Sequence, residues 1–385
     1  MVTWRRFVGL LLAALVCLAT GLLAAAGEEA ALAPQRRHDA HTHLSPRLAR
    51  FVLSIMDEAG IDRVLNLSGG WPGGPGRPVR DRYLDDPAGR RFAACLDVTR
   101  RSSGRILCAC NVDWDRLGEP GFGEAMADLL ERAVEQGAAS LKISKALGLG
   151  VTWPDGRLLA VDDPVLDPLW ARAGDLGVPV TIHTSDPKAF FEPPDESNER
   201  YEELKDHPSW SFWEAGGPSR EALLEARNRV IDRHPATYFI GAHLGNDPEE
   251  LDVVARWLER YPNFHVDTAA RLGEIGRHPV REVQSFFTRY RRRILFGSDV
   301  MVSPRGVILG AGRRTYPTGP GAVAAWYVQH FRFFESRGPM PNPIPIQGRW
   351  DIDAVGLPGD VLRDLYLGNA ERLIFDPWER RQRRR

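Results

Sequence analysis

The sequence predicts an α/β fold, a single (β/α)8 TIM barrel with long loops after its fifth and eighth strands, and three observations predict it. From Arg37 onward, short β-branched or apolar runs alternate with longer amphipathic stretches, the pattern of parallel strands separated by helices. Eight such pairs fill about 350 residues, the size of one barrel with insertions. Histidine or aspartate closes several of the runs, where this architecture keeps its chemistry.

The strands are expected at 38–43, 63–67, 105–112, 139–144, 179–184, 237–244, 263–268 and 294–299. Helices are expected at 46–59, 124–136, 164–176, 219–233, 248–261 and 280–291. The loop after strand five, 186–218, carries Phe190, Phe191, Trp210, Phe212 and Trp213, too many aromatics for an idle connection. It is expected to be either a lid or an outer flap. The loop after strand eight, 300–348, should hold a helix at 321–337 and a proline run at 339–345, ahead of a last helix near 359–366. No repeat or flexible linker interrupts the chain, so the barrel is expected over 36–378.

The flanks differ from the barrel. Arg5 and Arg6 precede an apolar run over 7–26 that ends in three alanines, so 1–26 is expected to be a signal peptide or, uncleaved, an N-terminal anchor. Export to the periplasm or the medium follows. The other end, 379–385, reads as a solvated basic tail. Cys95, Cys108 and Cys110 remain after the leader, an odd number too small for a disulfide framework, and Cys108 and Cys110 read as buried core residues. The 50 basic and 51 acidic side chains nearly cancel, which leaves no basic field for nucleic acid. Membrane association is expected only through the N-terminal segment.

His41 and His43 stand two apart near the end of the first strand, so both imidazoles leave one face and can meet one ion. Among 10 histidines a single His-x-His is weak evidence. His183, His243 and Asp299 strengthen it, because each ends a strand of its own on the same rim. Imidazole nitrogens with a carboxylate suit Zn2+, with Fe2+ or Mn2+ as alternatives.

With these residues in view, the sequence resembles the amidohydrolase superfamily, in its amidohydrolase-related branch with aminocarboxymuconate semialdehyde decarboxylase. The resemblance rests on Asp39-Ala40-His41-Thr42-His43, Thr181-Ile182-His183, Gly241-Ala242-His243-Leu244-Gly245, Leu295-Phe296-Gly297-Ser298-Asp299 and Tyr366-Leu367-Gly368-Asn369-Ala370. It implies that His41, His43, His183 and Asp299 bind the metal and that His243 is the acid/base histidine. Asp299 is also placed to take a proton from water.

Lys142 decides how many ions the site holds. Leu141 and Ile143 should face the helices, which turns Lys142 inward on strand four, where it either pairs with a rim carboxylate or, as a neutral amine, becomes a carbamate. In binuclear relatives a carbamylated lysine occupies this strand, and His183 and His243 would then hold a second ion. Lys145, of opposite parity, ranks lower. Asp267 is expected to orient a ligand, with His265 on its face of strand seven. Arg271 and Arg305 are candidates for clamping a substrate carboxylate, and Trp71, Trp114 and Trp153 for lining the pocket. The favoured function is metal-dependent hydrolysis of an amide, ester or lactone of small size. Nonoxidative decarboxylation of a small carboxylated substrate is the alternative, and a non-catalytic binding barrel the third reading.

Overall fold

A computed structural model of the chain describes residues 36–67 and 90–384. The expected leader at 1–26 and Trp71 lie outside the described residues. A mostly parallel, curled sheet of eleven strands forms the centre, in the order β11-β10-β9-β1-β2-β3-β4-β5-β6-β7-β8. The strands are β1 (Arg37–Leu44), β2 (Ile61–Asn66), β3 (Ile106–Cys110), β4 (Ser140–Ile143), β5 (Val180–Ile182), β6 (Phe239–Gly241), β7 (Phe264–Asp267), β8 (Ile294–Leu295), β9 (Val300–Ser303), β10 (Gly306–Ile308) and β11 (Arg314–Thr315). From β1 to β8 every neighbouring pair is parallel. The segment after β8 curls back to the start: Ala40 donates to the Phe296 carbonyl at 2.9 Å and Asp299 to the His41 carbonyl at 2.9 Å.

Helices α1 (Ala49–Ala59), α2 (Arg90–Arg101), α3 (Phe122–Gln136), α4 (Asp167–Asp175), α5 (Arg220–Arg233), α6 (Leu251–Arg260), α7 (Val280–Arg289) and α8 (Pro320–Glu335) follow the strands. Strand parity divides the apolar residues into two shells. Leu141, Ile143, Val180, Ile182, Phe264 and Val266 join the helix-facing cluster, with Val52, Met126, Val254 and Phe331 from the helices. Leu65, Leu107, Ala109, Ile240 and Leu295 fill the inside of the sheet, joined at one end by Leu373, Ile374 and Phe375. Lys142, Thr181 and Asp267, of opposite parity to their helix-facing neighbours, therefore point inward.

Strand β1 departs from simple alternation. Asp39 pairs with Val64 and Thr42 with Asn66, three steps against two, so β1 carries a bulge. The extra residue lets Ala40 stay in the inner shell while His41 also turns inward.

The segment after β5 folds around its own small core of Phe190, Leu204 and Trp210. It is fastened to the rim by the fully buried Arg200, which pairs with Glu203 at 2.7 Å and with Glu274. The segment after β8 opens with the β9–β11 ribbon, whose three strands were not expected there. Beyond α8, β12 (Arg337–Pro341) and β13 (Asp351–Val355) form a hairpin where a proline run was expected.

Two expectations are corrected. Residues expected to begin a solvated tail form a helix, α9 (Asp376–Arg383), because Trp378 and Arg381 give it a footing: Trp378 Nε1 donates to the Gly137 carbonyl at 2.9 Å and Arg381 to the Gly177 carbonyl at 3.1 Å. Cysteine does tie elements together. Cys95 on α2 and Cys108 on β3 form a disulfide, with Cα atoms 6.2 Å apart and a separation of 13 residues, while Cys110 is free and buried. An odd count concealed one pair, which forms because α2 packs directly over the strand that follows it.

Peptide mapping of protein folded under oxidising conditions is expected to recover the Cys95–Cys108 link. Reducing it should lower unfolding stability by about 3 kcal/mol, the entropy of a closed loop of this size. Recovery of both thiols free would remove this constraint.

Candidate metal centre

The C-terminal ends of the parallel strands bring His41, His43, Lys142, His183, His243, Asp267 and Asp299 to one mouth. The closest group among the described residues is His41, His243 and Asp299, whose donor atoms all lie within 4.8 Å of one another. His43 Nε2 is 3.4 Å and His41 Nε2 3.6 Å from Asp299 Oδ1. These spacings are too long for good hydrogen bonds and suit donors sharing one ion, since two ligands each about 2.1 Å from a tetrahedral centre stand about 3.4 Å apart. The ring of His243 lies 4.9 Å from that of His41 and 4.5 Å from that of His183.

Outer hydrogen bonds set the tautomers. Asp267 Oδ2 accepts from His41 Nδ1 at 2.9 Å, which leaves His41 Nε2 bare toward Asp299. The Ala269 carbonyl can only accept, so His243 Nδ1 carries the proton of that 2.8 Å bond and Nε2 is bare. His183 Nε2 is buried and stands 3.5 Å from Asp186 Oδ1, too far for a good hydrogen bond. Burial first, then neighbouring positive groups, pushes His43 and His243 well below the usual imidazole range. Burial also takes His183 to about 3, against the pull of Asp186. Neutral imidazoles with bare nitrogens are the state a metal requires, so these residues fit a divalent ion.

The carboxylates differ among themselves. Burial raises Asp299, opposed by His41, Arg271 and Lys142. Burial also acts to raise Asp267, yet His41 and the backbone donors of His243 and Ala269 outweigh it and hold this carboxyl below its usual range. Asp39, pushed up to about 6 by burial, accepts from His41 N–H at 3.0 Å, Ser298 N–H at 3.1 Å and Tyr327 Oη at 2.7 Å.

Lys142 is 3% exposed, on the inward face of β4, and its charge acts on His43, His183 and Asp299. Lys145 instead pairs with Asp186. Arg271 is buried, and its charge acts on His243 and Asp299. Arg305 sits in the exposed turn between β9 and β10, its N–H on Ser303 Oγ at 3.2 Å. Trp153 follows β4 under the Arg157 guanidinium, 5.3 Å away, and Trp114 lies 6.3 Å from Phe122. His265 shares the face of Asp267 but lies two residues earlier, at the other end of the barrel.

Sequence reasoning missed Asp39, Asp186 and the Ser298–Tyr327 pair. Asp186 had a signal, three residues after His183. Tyr327 had none, since it arrives from α8. Backbone strain, also invisible in sequence, gathers at the mouth: Ser185, His243, Leu244, Asn246, Ala270 and Asp299 all have φ between 55° and 72°.

The sequence matches the family described as amidohydrolase over residues 38–375. No curated protein matches it. Three solved structures are similar in fold. A TIM-barrel protein from Bordetella bronchiseptica is 15% identical, with a TM-score of 0.51 over 89% of this chain and 99% of that one. A 2,6-dihydroxybenzoate decarboxylase from Rhizobium is 16% identical, at 0.51 over 88% and 98%. A dihydroxybenzoic acid decarboxylase from Polaromonas, with bound manganese and 2-nitroresorcinol, is 16% identical, at 0.51 over 88% and 96%.

Asp267→Asn should weaken divalent-metal binding by about 10- to 100-fold while the far-ultraviolet spectrum is unchanged, because the outer partner of His41 is lost. Chelator competition measures it, and an unchanged affinity would move the ion away from His41.

Proposed function

Because the chain belongs to the amidohydrolase family, we propose that it is a metal-dependent enzyme whose small substrate carries a carboxylate, and that it releases this group as carbon dioxide. Arg271 carries the reading. The residue is 4% exposed, its Nη1 rests on the Ala270 carbonyl at 2.7 Å, and its Nε has no hydrogen-bond partner. Glu249, Asp186 and Glu203 act on its charge, yet the open Nε donor still costs free energy that a substrate carboxylate offsets.

The residues proposed to hold the ion are His41, His43, His183 and Asp299, with Zn2+ first and Mn2+ second. Bound there, the ion supplies Lewis acidity toward substrate oxygens. The chain's own groups do the rest. Arg271 holds the carboxylate side of the substrate. His243 Nε2 takes a proton from a substrate hydroxyl and returns it to carbon as the bond to the carboxylate breaks, the electron pair remaining on that carbon. Carbon dioxide leaves and the proton count balances.

Hydrolysis of an amide, ester or lactone is the second reading, favoured by His243 and Asp299, two proton acceptors on one rim. A carbamylated Lys142 with a second ion belongs to that reading. We also propose export, which the Cys95–Cys108 disulfide supports, since such links persist in oxidising compartments.

Metal-loaded protein is expected to release carbon dioxide from hydroxylated aromatic carboxylates and to leave lactones and amides intact. Ring or amide opening without carbon dioxide would replace the first reading by the second. Arg271→Ala should raise KM by about 30-fold with a smaller effect on kcat, as loss of a buried ion-pair partner does. For His243→Asn we expect metal content to survive and kcat to fall by about 100-fold or more. Loss of one equivalent of metal would instead make His243 a ligand.

A further inference from the structure

The metal centre makes no use of the opposite end of the barrel, where the strands begin. A cavity of about 630 Å3 opens there. Arg292 and Arg293 before β8, Arg372, and Arg380, Arg381 and Arg384 at the C-terminal helix α9 line it, and among the described residues no aspartate or glutamate does. The whole chain has a net charge of −1, so this is a local imbalance rather than the reflection of a basic protein.

Several of these guanidinium groups are held by neutral acceptors. Arg293 Nε donates to the Phe264 carbonyl at 2.9 Å and its Nη2 to the Tyr261 carbonyl at 2.6 Å. Arg372 Nη2 donates to the Arg292 carbonyl at 2.6 Å and to Asn369 Oδ1 at 3.0 Å. These bonds orient the forks without cancelling their charge. Asp364 acts on Arg372 from a distance, but its carboxylate is engaged by Arg291 at 2.8 Å. Burial, then the charge of the neighbouring arginine, pushes both Arg293 and Arg372 below their ordinary values. Like charges crowded around one concavity are unfavourable unless an anion joins them.

We infer that this cavity is an anion site for a phosphate group carried on a larger molecule, a soluble phosphoester or the headgroup of an anionic lipid. Planar guanidinium forks pair bidentately with phosphate, which brings about two charges in one compact group. The volume leaves room for more than that group, and the half-exposed ring of Tyr238 offers an apolar face for what the phosphate carries. The chain also enters the barrel at this end, at Arg37, the first residue of β1.

The test uses the full chain, with pyrophosphate as the soluble probe and vesicles of phosphatidylglycerol or phosphatidylcholine as the lipid probes. It is compared with the variant R292Q/R380Q/R384Q, whose three side chains make none of the tethering bonds above. Calorimetry is expected to give saturable pyrophosphate binding that weakens by about tenfold or more in the variant, with melting temperature and turnover unchanged. A preference for phosphatidylglycerol that the variant loses identifies the lipid source. Pyrophosphate binding without that preference identifies the soluble one. If neither probe binds, or both bind the variant as tightly as the parent, the site does not exist. Should the triple variant unfold, Arg384→Glu alone, at the exposed end of α9, carries the same comparison.

Discussion

The site depends on one buried carboxylate. Asp267 lies at the end of β7 with no exposure, and removing such a charge from water costs several kcal/mol. The cost is offset by what converges on it: His41 Nδ1 from β1 reaches Oδ2 at 2.9 Å, while the backbone N–H groups of His243 and Ala269 reach Oδ1 at 2.9 and 3.1 Å. A side chain from one strand thereby orients the histidine of a second and the backbone of a third. Asp39 does the same on the outer side of β1, where it joins Ser298 after β8 and Tyr327 on α8. With His41 held from both sides, the bulge in β1 becomes a fixed feature.

The same carboxylate explains how strained backbone persists at His243. Positive φ in a non-glycine residue costs on the order of 1–3 kcal/mol, and here His243, Leu244 and Asn246 all adopt it. The bond from His243 N–H to Asp267 fixes the first of them. Arg227 holds the Gly245 carbonyl, and Asn246 Nδ2 ties the turn to the Thr184 carbonyl at 2.7 Å and the Ser185 carbonyl at 3.0 Å. Strands β5 and β6 are thus joined where His183 and His243 project, and their rings meet.

Much of this was legible because parallel strands impose a rule: residues of inward parity at the strand ends meet at one mouth. His183, Asp299 and Lys142 could be placed from alternation alone. His41 could not be placed fully, because its inward turn depends on a bulge that has no residue signature. Contacts between distant elements were hidden for a different reason. Tyr327 reaches Asp39 across 288 positions, and Trp378 reaches Gly137 across 241, so neither short-range pattern nor composition carries a trace of them. The Cys95–Cys108 link failed on counting rather than on geometry. Six arginines scattered over 292–384 became one cavity wall only when the sheet curled.

Under the proposed function, charge is the link between these parts and the substrate. Around the mouth, Lys145 and Asp186 compensate one another as a pair. Asp267 and Asp299 stand near Lys142 and Arg271, and Glu203 and Glu249 also act on Arg271, so the proposed divalent ion would shift the mouth toward a positive excess. Water screens such an excess poorly in a site where Lys142 and Arg271 are both nearly inaccessible. A neutral amide or lactone would leave that field unanswered, whereas a carboxylate neutralises part of it and leaves its electrons drawn toward the ion and the guanidinium. The proposed choice between two reactions that one fold supports therefore rests on Arg271 and the charges around it more than on the identity of the metal ligands.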